Sequence, residues 1–371
     1  MRPLVHLDKL QTKEYTVEQH KYALLNLRDK YENHFDSMNY LWAYVRSHEI
    51  DFAIFPFLVN DKTILYLYGL NNKKKFHYEI EIHTQNDITY KKTDDWIEMN
   101  FKNYYVYKIN FKRNLIYMTV NTNEIKSDIV LTINSYKSVY PKDLGRFWLA
   151  TATSTFDSYT PTLLDVQSFT FNGKNYENTK NTIAYLELAL SKEVFWPYIW
   201  LYMETQEWTI IFIWHGPDRC AIVRNRMEGD EDFIYMGQIP GKWKAFHQPY
   251  TLSIDVKHFI DDFNILFKSK KINISMKTTG EHNLVGKMLL HNWQKYLEDH
   301  IVNCDVSIEY KDKTYDFNEN VYLDIYDAAN IDLCKFLSLI TNMPPVTECT
   351  FFVSWNEKQL KSPKDPRGLP L

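Results

Sequence analysis

The segment FHYEIEIHT alternates without a break: Phe76, Tyr78, Ile80 and Ile82 fall on one side, His77, Glu79, Glu81 and His83 on the other. A period of two marks a β-strand with one buried and one wet face, because successive side chains of a strand point to opposite sides. The same arithmetic offers His77, Glu79, Glu81 and His83 as a metal-binding row, but a wet strand face explains them with fewer assumptions. WIEMNF, YYVYKINF, LIYMTV and DIVLTINSY follow at hairpin-like intervals. Short strands in series, with no helical pattern between them, predict an antiparallel meander and disfavour βαβ units. The expected fold class is all-β: two antiparallel barrels or sandwiches with minor helices.

Two aromatic stretches frame this meander. In MNYLWAYVR, Tyr40, Trp42 and Tyr44 alternate with Leu41, Ala43 and Val45, giving one aromatic and one aliphatic face. In the following IDFAIFPFLV, Pro56 lacks an N–H and requires an edge position or a bulge. Later, Phe171-Asn172-Gly173-Lys174 carries an Asn-Gly pair between β-formers, the signal of a type I′ hairpin turn. Beyond it Ile183, Tyr185, Glu187 and Ala189 share one face, which puts Glu187 among aromatics, and the strands PYIWLYM and EWTIIFIWH come next. No exact internal repeat is visible, although both halves open on an aromatic strand.

The expected organisation is a helical segment over 1–35, a β domain over 36–158, a second over 159–357 and a disordered tail over 358–371, with the joint near Leu144 to Asp165. Helical spacing is confined to Thr16–Tyr31 and to Ala328–Ile340. The Pro-rich KSPKDPRGLPL suits a disordered end.

Charge and motifs exclude several classes. Among 371 residues, 43 Lys and Arg against 47 Asp and Glu give a net charge of −4, with no basic field to draw a phosphate backbone. Lys73-Lys74-Lys75 and Lys268-Ser269-Lys270-Lys271 read as solvated turns. Four scattered cysteines, Cys220, Cys304, Cys334 and Cys349, suit buried free thiols rather than a disulfide framework. No apolar run approaches the roughly 20 residues that span a bilayer, and the first residues lack the apolar core of a signal peptide. A soluble cytoplasmic protein is expected, without a nucleic-acid partner, a transmembrane segment or a cofactor. No phosphate-binding or dinucleotide-binding glycine loop, H-E-x-x-H, G-x-S-x-G or kinase signature occurs.

The order of these elements resembles the two-domain lipocalin-like superfamily that includes carotenoid 1,2-hydratases, AttH-type proteins and fungal Diels-Alderases. FDSMNYLWAYVRSHEIDFAIFPFLV occupies the place of that family's early aromatic strand. YTPTLLDVQSFTFNGKNYENTKNTIAYLEL and PYIWLYM occupy the linker strand, the hairpin, the strand ending in an acidic motif and the Trp-rich strand. The resemblance implies lipocalin-like barrels around an apolar ligand. Where hydratase-like members carry a run such as D-H-N-W-G, this chain has Glu187-Leu188-Ala189-Leu190-Ser191, so only the acidic position is kept. The family's acid and base machinery does not transfer.

Glu187 is nonetheless the first catalytic candidate, because desolvation among aromatics raises a carboxyl pKa toward general-acid use; a hydrogen bond or ion pair within the barrel is the plainer role. His215, at a strand end in Trp214-His215-Gly216-Pro217-Asp218-Arg219, is the second, against an ordinary polar turn. Trp42, Tyr44, Tyr185, Trp200, Tyr202 and Trp214 are the expected ligand-binding walls, against ordinary core packing. Arg146, before Phe147-Trp148, is the expected anchor for a ligand carboxylate, against stacking or a surface ion pair. The expected function is binding of an isoprenoid- or lipid-like small molecule in an aromatic-lined barrel. The alternatives are a lyase, cyclase or isomerase using Glu187, and a structural or scaffold protein such as a virion component. A homo-oligomer or a protein partner stays open.

Overall fold

The computed structural model describes residues 37–59, 62–83, 87–133, 155–159, 164–176, 182–192, 198–215, 218–226, 231–237, 250–257, 262–269, 271–290 and 295–326. The helices expected at Thr16–Tyr31 and Ala328–Ile340, the tail, and Cys334 and Cys349 lie outside them. The described residues are built from β-strands, and every pairing joins antiparallel neighbours, as the period-two alternation predicts. The chain divides into two compact units, the first holding the strands up to Lys192 and the second those from Tyr198 onward.

In the first unit a six-stranded sheet comprises β1 (Ser37–Ser47), β2 (Ile50–Val59), β3 (Lys62–Asn71), β4 (Lys74–His83), β10 (Thr155–Tyr159) and β13 (Ile183–Lys192), ordered β10-β13-β1-β2-β3-β4. A seven-stranded sheet holds β5 (Ile88–Lys92), β6 (Trp96–Phe101), β7 (Tyr105–Asn110), β8 (Leu115–Asn121), β9 (Lys126–Ile133), β11 (Leu164–Phe171) and β12 (Lys174–Tyr176). Strands β11 to β13 pair into these two sheets, so the stretch expected to open the second domain lies with the first unit. The core is continuous: Ala43, Val45, Phe52, Ile54, Leu65, Leu67 and Leu186 of one sheet pack with Met99, Tyr107, Ile129 and Phe169 of the other.

Local chemistry fixes this frame. Asn172 and Gly173 have φ of 48° and 79°, the two positive angles of a type I′ turn, and Phe171 pairs with Lys174 across it. Pro56 lies in an inner strand, and the register between β1 and β2 shifts there: Asn39 opposes Phe57 while Ala43 opposes Ile54. One extra residue of β1 bulges opposite the proline, where no ladder donor is required. Gly69, at φ +151°, lets β3 approach β2; a Cβ there would lie 1.9 Å from the Asp51 carbonyl oxygen.

The second unit is one nine-stranded sheet of β14 (Tyr198–Glu204), β15 (Trp208–His215), β16 (Asp218–Asn225), β17 (Glu231–Gly237), β18 (Tyr250–Lys257), β19 (Asp262–Ser269), β20 (Ile272–Leu290), β21 (Lys295–Tyr310) and β22 (Lys313–Tyr326). Its order is β17-β16-β15-β14-β22-β21-β20-β19-β18. Phe212 on β15 and Phe267 on β19 meet at 5.7 Å across four intervening strands, so the sheet curls over its own core. Cys304 is buried and free, as expected of a thiol there, and burial pushes its pKa up to about 12. No helix among the described residues is long and apolar enough to cross a membrane.

Candidate functional site

Residues of one strand parity gather on the face of the six-stranded sheet turned away from the intersheet core. Trp42 opposes Glu187, Tyr44 opposes Tyr185, and on the other flank Arg46 opposes Asp51. Trp42 and Tyr44, expected as ligand-binding walls, stand on this face rather than toward the intersheet core. Ala43 and Val45 take the interior side, and alternation then forces the aromatic set outward. Both faces of β1 are apolar, so the sequence does not say which faces the core.

This face is nevertheless buried, with Trp42 at 6%, Tyr44 at 2% and Tyr185 at 2% exposure. The Trp42 and Tyr44 rings are stacked at 6.4 Å and 8°, and Tyr185 meets Trp42 edge-on at 5.3 Å. Such contacts contribute roughly 0.5–1.5 kcal/mol each beyond area burial. Polar tips are matched: Trp42 Nε1 donates to the Tyr68 hydroxyl at 3.1 Å, and the Tyr44 hydroxyl donates to Asp51 Oδ1 at 2.5 Å. The aromatic wall is therefore held by directional bonds as well as by packing.

Glu187 sits within this wall, partly exposed, accepting from the Tyr185 hydroxyl at 2.6 Å. Burial pushes its carboxyl up to about 7, and the Tyr185 hydrogen bond, which favours the ionised form, opposes that rise without cancelling it. A carboxyl poised there can give or take a proton near neutral pH. Sequence reasoning missed Asp51 and Tyr68, which join the same face through β2 and β3, and His77 joins it through β4. His77, expected on a wet face, is half-buried with its ring 6.0 Å from Tyr66 and 5.9 Å from Tyr68, while Glu79, Glu81 and His83 are exposed. Desolvation lowers its pKa against the pull of Glu79. No group of three or more His, Cys, Asp or Glu among the described residues is placed to hold a metal.

The remaining candidates are distributed differently. Trp200 and Tyr202 lie in the second unit, on β14, stacked at 5.7 Å and buried. The Tyr202 hydroxyl bonds Glu204, whose other oxygen accepts from Arg226 at 2.7 Å. His215 pairs with Asp218, and Trp214 with Arg219, in the β15–β16 ladder; the side chains of Trp214 and His215 lie outside the described residues, as does Arg146 altogether.

No protein-family model and no curated protein sequence matches the chain. Among solved structures it is similar to CghA with Sch210972, at 5% identity and a TM-score of 0.48, covering 79% of this chain and 88% of that one. Kievitone hydratase from Nectria haematococca is similar at 12% identity and a TM-score of 0.46, covering 78% and 88%. A putative AttH protein from Nitrosomonas europaea is similar at 12% identity and a TM-score of 0.45, covering 80% and 94%. These neighbours are members of the lipocalin-like superfamily.

Proposed function

We propose that the protein binds an apolar small molecule, isoprenoid- or lipid-like, against the Trp42–Tyr44–Tyr185 face, with Glu187 as the proton-bearing group that meets it. The supporting observation is a carboxyl lifted to about 7 inside an aromatic wall, with a phenol at 2.6 Å fixing one of its oxygens. A neutral carboxyl donates a hydrogen bond to a ligand oxygen and leaves an apolar ligand free of a facing charge. Ionisation withdraws both advantages, so binding weakens as pH rises through 7.

The Tyr185–Glu187 pair also favours a second reading, an isomerase. Glu187 would give its proton to one carbon of a double bond, leaving a cation on the other, and take a proton back from the next carbon on the far side of that cation, which shifts the double bond by one position and regenerates the acid. Tyr185 orients the carboxyl in both halves of that exchange.

Fluorescence titration with the neutral probe N-phenyl-1-naphthylamine at pH 6 and pH 8 tests the binding reading. Wild type should bind more tightly at pH 6, and Glu187→Gln should bind equally at both. Absence of saturable binding at pH 6 would sink it. Organic extraction and mass spectrometry of the purified protein then identify a carried ligand, and its rearrangement by wild type but not by Glu187→Gln would establish the isomerase.

A further inference from the structure

The Trp42–Glu187 constellation occurs a second time in this chain. In the second unit Trp200 on β14 opposes Asp324 on β22, and Tyr202 opposes Tyr322. In the first, Trp42 on β1 opposes Glu187 on β13, and Tyr44 opposes Tyr185. Each quartet thus comes from a W-x-Y strand and a Y-L-acid strand, Tyr185-Leu186-Glu187 and Tyr322-Leu323-Asp324. Ring geometry repeats as well: the Trp–Tyr stacks lie at 6.4 Å and 8° and at 5.7 Å and 13°. The second tyrosine meets the indole edge-on at 5.3 Å and 66° in one unit and at 6.1 Å and 74° in the other.

The surroundings repeat with it. The order β10-β13-β1-β2-β3-β4 has its counterpart in β21-β22-β14-β15-β16-β17, strand for strand. The hairpin after each W-x-Y strand keeps its register, with Arg46 opposite Asp51 and Glu204 opposite Thr209. The turn glutamate carbonyl accepts a backbone N–H in both, Glu49 from Asn72 at 2.7 Å and Glu207 from Arg226 at 2.8 Å. Matching of order, register, residue type and ring angle together is the mark of a duplicated unit rather than of two chance aromatic clusters.

We infer that Trp200, Tyr202, Tyr322 and Asp324 form a second site for the same class of ligand, an apolar molecule bearing a hydrogen-bond acceptor, with Asp324 in the role of Glu187. The inference rests on the reading of the Glu187 site given above. In the second site Asp299, 2% exposed, opposes Asp324 from β21, so a second acidic residue stands in register beside the acid there.

The test uses the full chain labelled with 5-fluorotryptophan, with Trp42→Phe and Trp200→Phe assigning the two resonances, and N-phenyl-1-naphthylamine as the probe. Both resonances should shift on titration. Asp324→Lys, which sets a permanent charge against the probe, should weaken the midpoint of the Trp200 shift about tenfold or more and leave the Trp42 shift in place, Glu187→Lys should do the converse, and the neutral Asp324→Asn should keep both. A Trp42 shift with no Trp200 shift in wild type would overturn the second site and leave the Glu187 reading intact. Absence of both shifts would overturn the two together, and movement of Trp200 alone would support the second site while sinking the first. Loss of both shifts through either substitution alone would show one site in place of two.

Discussion

Trp42 on β1 stands directly opposite Glu187 on β13, and the register of the two strands shifts just before this pair, where Tyr40 and Leu41 together oppose a single residue. Bulges re-aim the side chains that follow them. Here the residue that follows is the indole whose face meets Tyr44 and whose edge partner, Tyr185, holds the carboxyl. Packing and protonation of the site are thus coupled through one irregularity in one strand.

Glu187→Gln should flatten part of the stability profile. The folded pKa, about 7, lies above the ordinary 4.5, so the stability this carboxyl confers is complete below 4.5 and is lost as pH rises through 7. Above that range the ionised group costs the fold roughly 2–3 kcal/mol. Urea unfolding at pH 5 and pH 8.5 should show the variant gaining on wild type at the higher pH by about that amount. An equal difference at both values would show that Glu187 titrates normally.

Tyr185→Phe removes the one contact that holds the Glu187 pKa down, so the carboxyl should titrate above wild type. Carbon-13 NMR of labelled glutamate reads this directly, and an unchanged or lowered midpoint would mean that the 2.6 Å hydrogen bond is absent in solution.

Gly69→Ala places a Cβ 1.9 Å from the Asp51 carbonyl oxygen at a φ of +151°. Strain and overlap together should cost about 2–5 kcal/mol. Since Asp51 accepts the Tyr44 hydroxyl, probe binding should weaken as well. Thermal unfolding and the fluorescence titration check the two effects separately.

His300 should govern part of the acid limb. It is 3% exposed and flanked in register by Leu284 and Leu323, and burial holds its pKa below 6.5 against the pull of Glu298. The charged groups facing it are Glu298, Lys287 and His282. Stability is complete above 6.5 and falls as pH drops toward the folded value, because the unfolded chain takes up the proton first. Glu298, at about 2, stays ionised throughout that range. His300→Leu should lessen the loss of stability between pH 7 and pH 5 in urea titrations, and an identical slope would assign the acid limb elsewhere.

Much of the fold was legible because its signals are local. Period-two alternation announced the strands, Asn172-Gly173 announced a hairpin, and Pro56 announced a bulge, each through the geometry of a few adjacent residues. Grouping was harder. That β13 joins β1 depends on pairing across more than a hundred residues, which no short window carries, and so the boundary was expected before β11 rather than after β13. The aromatic members of the site, Trp42, Tyr44 and Tyr185, were readable as strand-face residues. Asp51, Tyr68 and His77 enter through cross-strand neighbours, and Asp324 was signalled only by the echo of Tyr185-Leu186-Glu187 in Tyr322-Leu323-Asp324.

The bulge has a further consequence for how such a chain finds its native pairing. Two W-x-Y strands and two Y-L-acid strands in one polypeptide offer an exchange, β1 with β22 and β14 with β13, in which indole would still meet carboxyl and phenol would still meet phenol. The two versions are not interchangeable. β1 carries an extra residue, with Pro56 opposite it on its other neighbour, whereas β14 pairs with β15 and β22 without a shift. A strand with a bulge set into a straight ladder throws every residue beyond it onto the wrong face. Arg46 and Glu204, equivalent in place and opposite in charge, add an electrostatic mismatch to any exchange. The irregularity in β1 thus acts as a notch on a key, sorting two similarly patterned strand pairs of one chain while they fold.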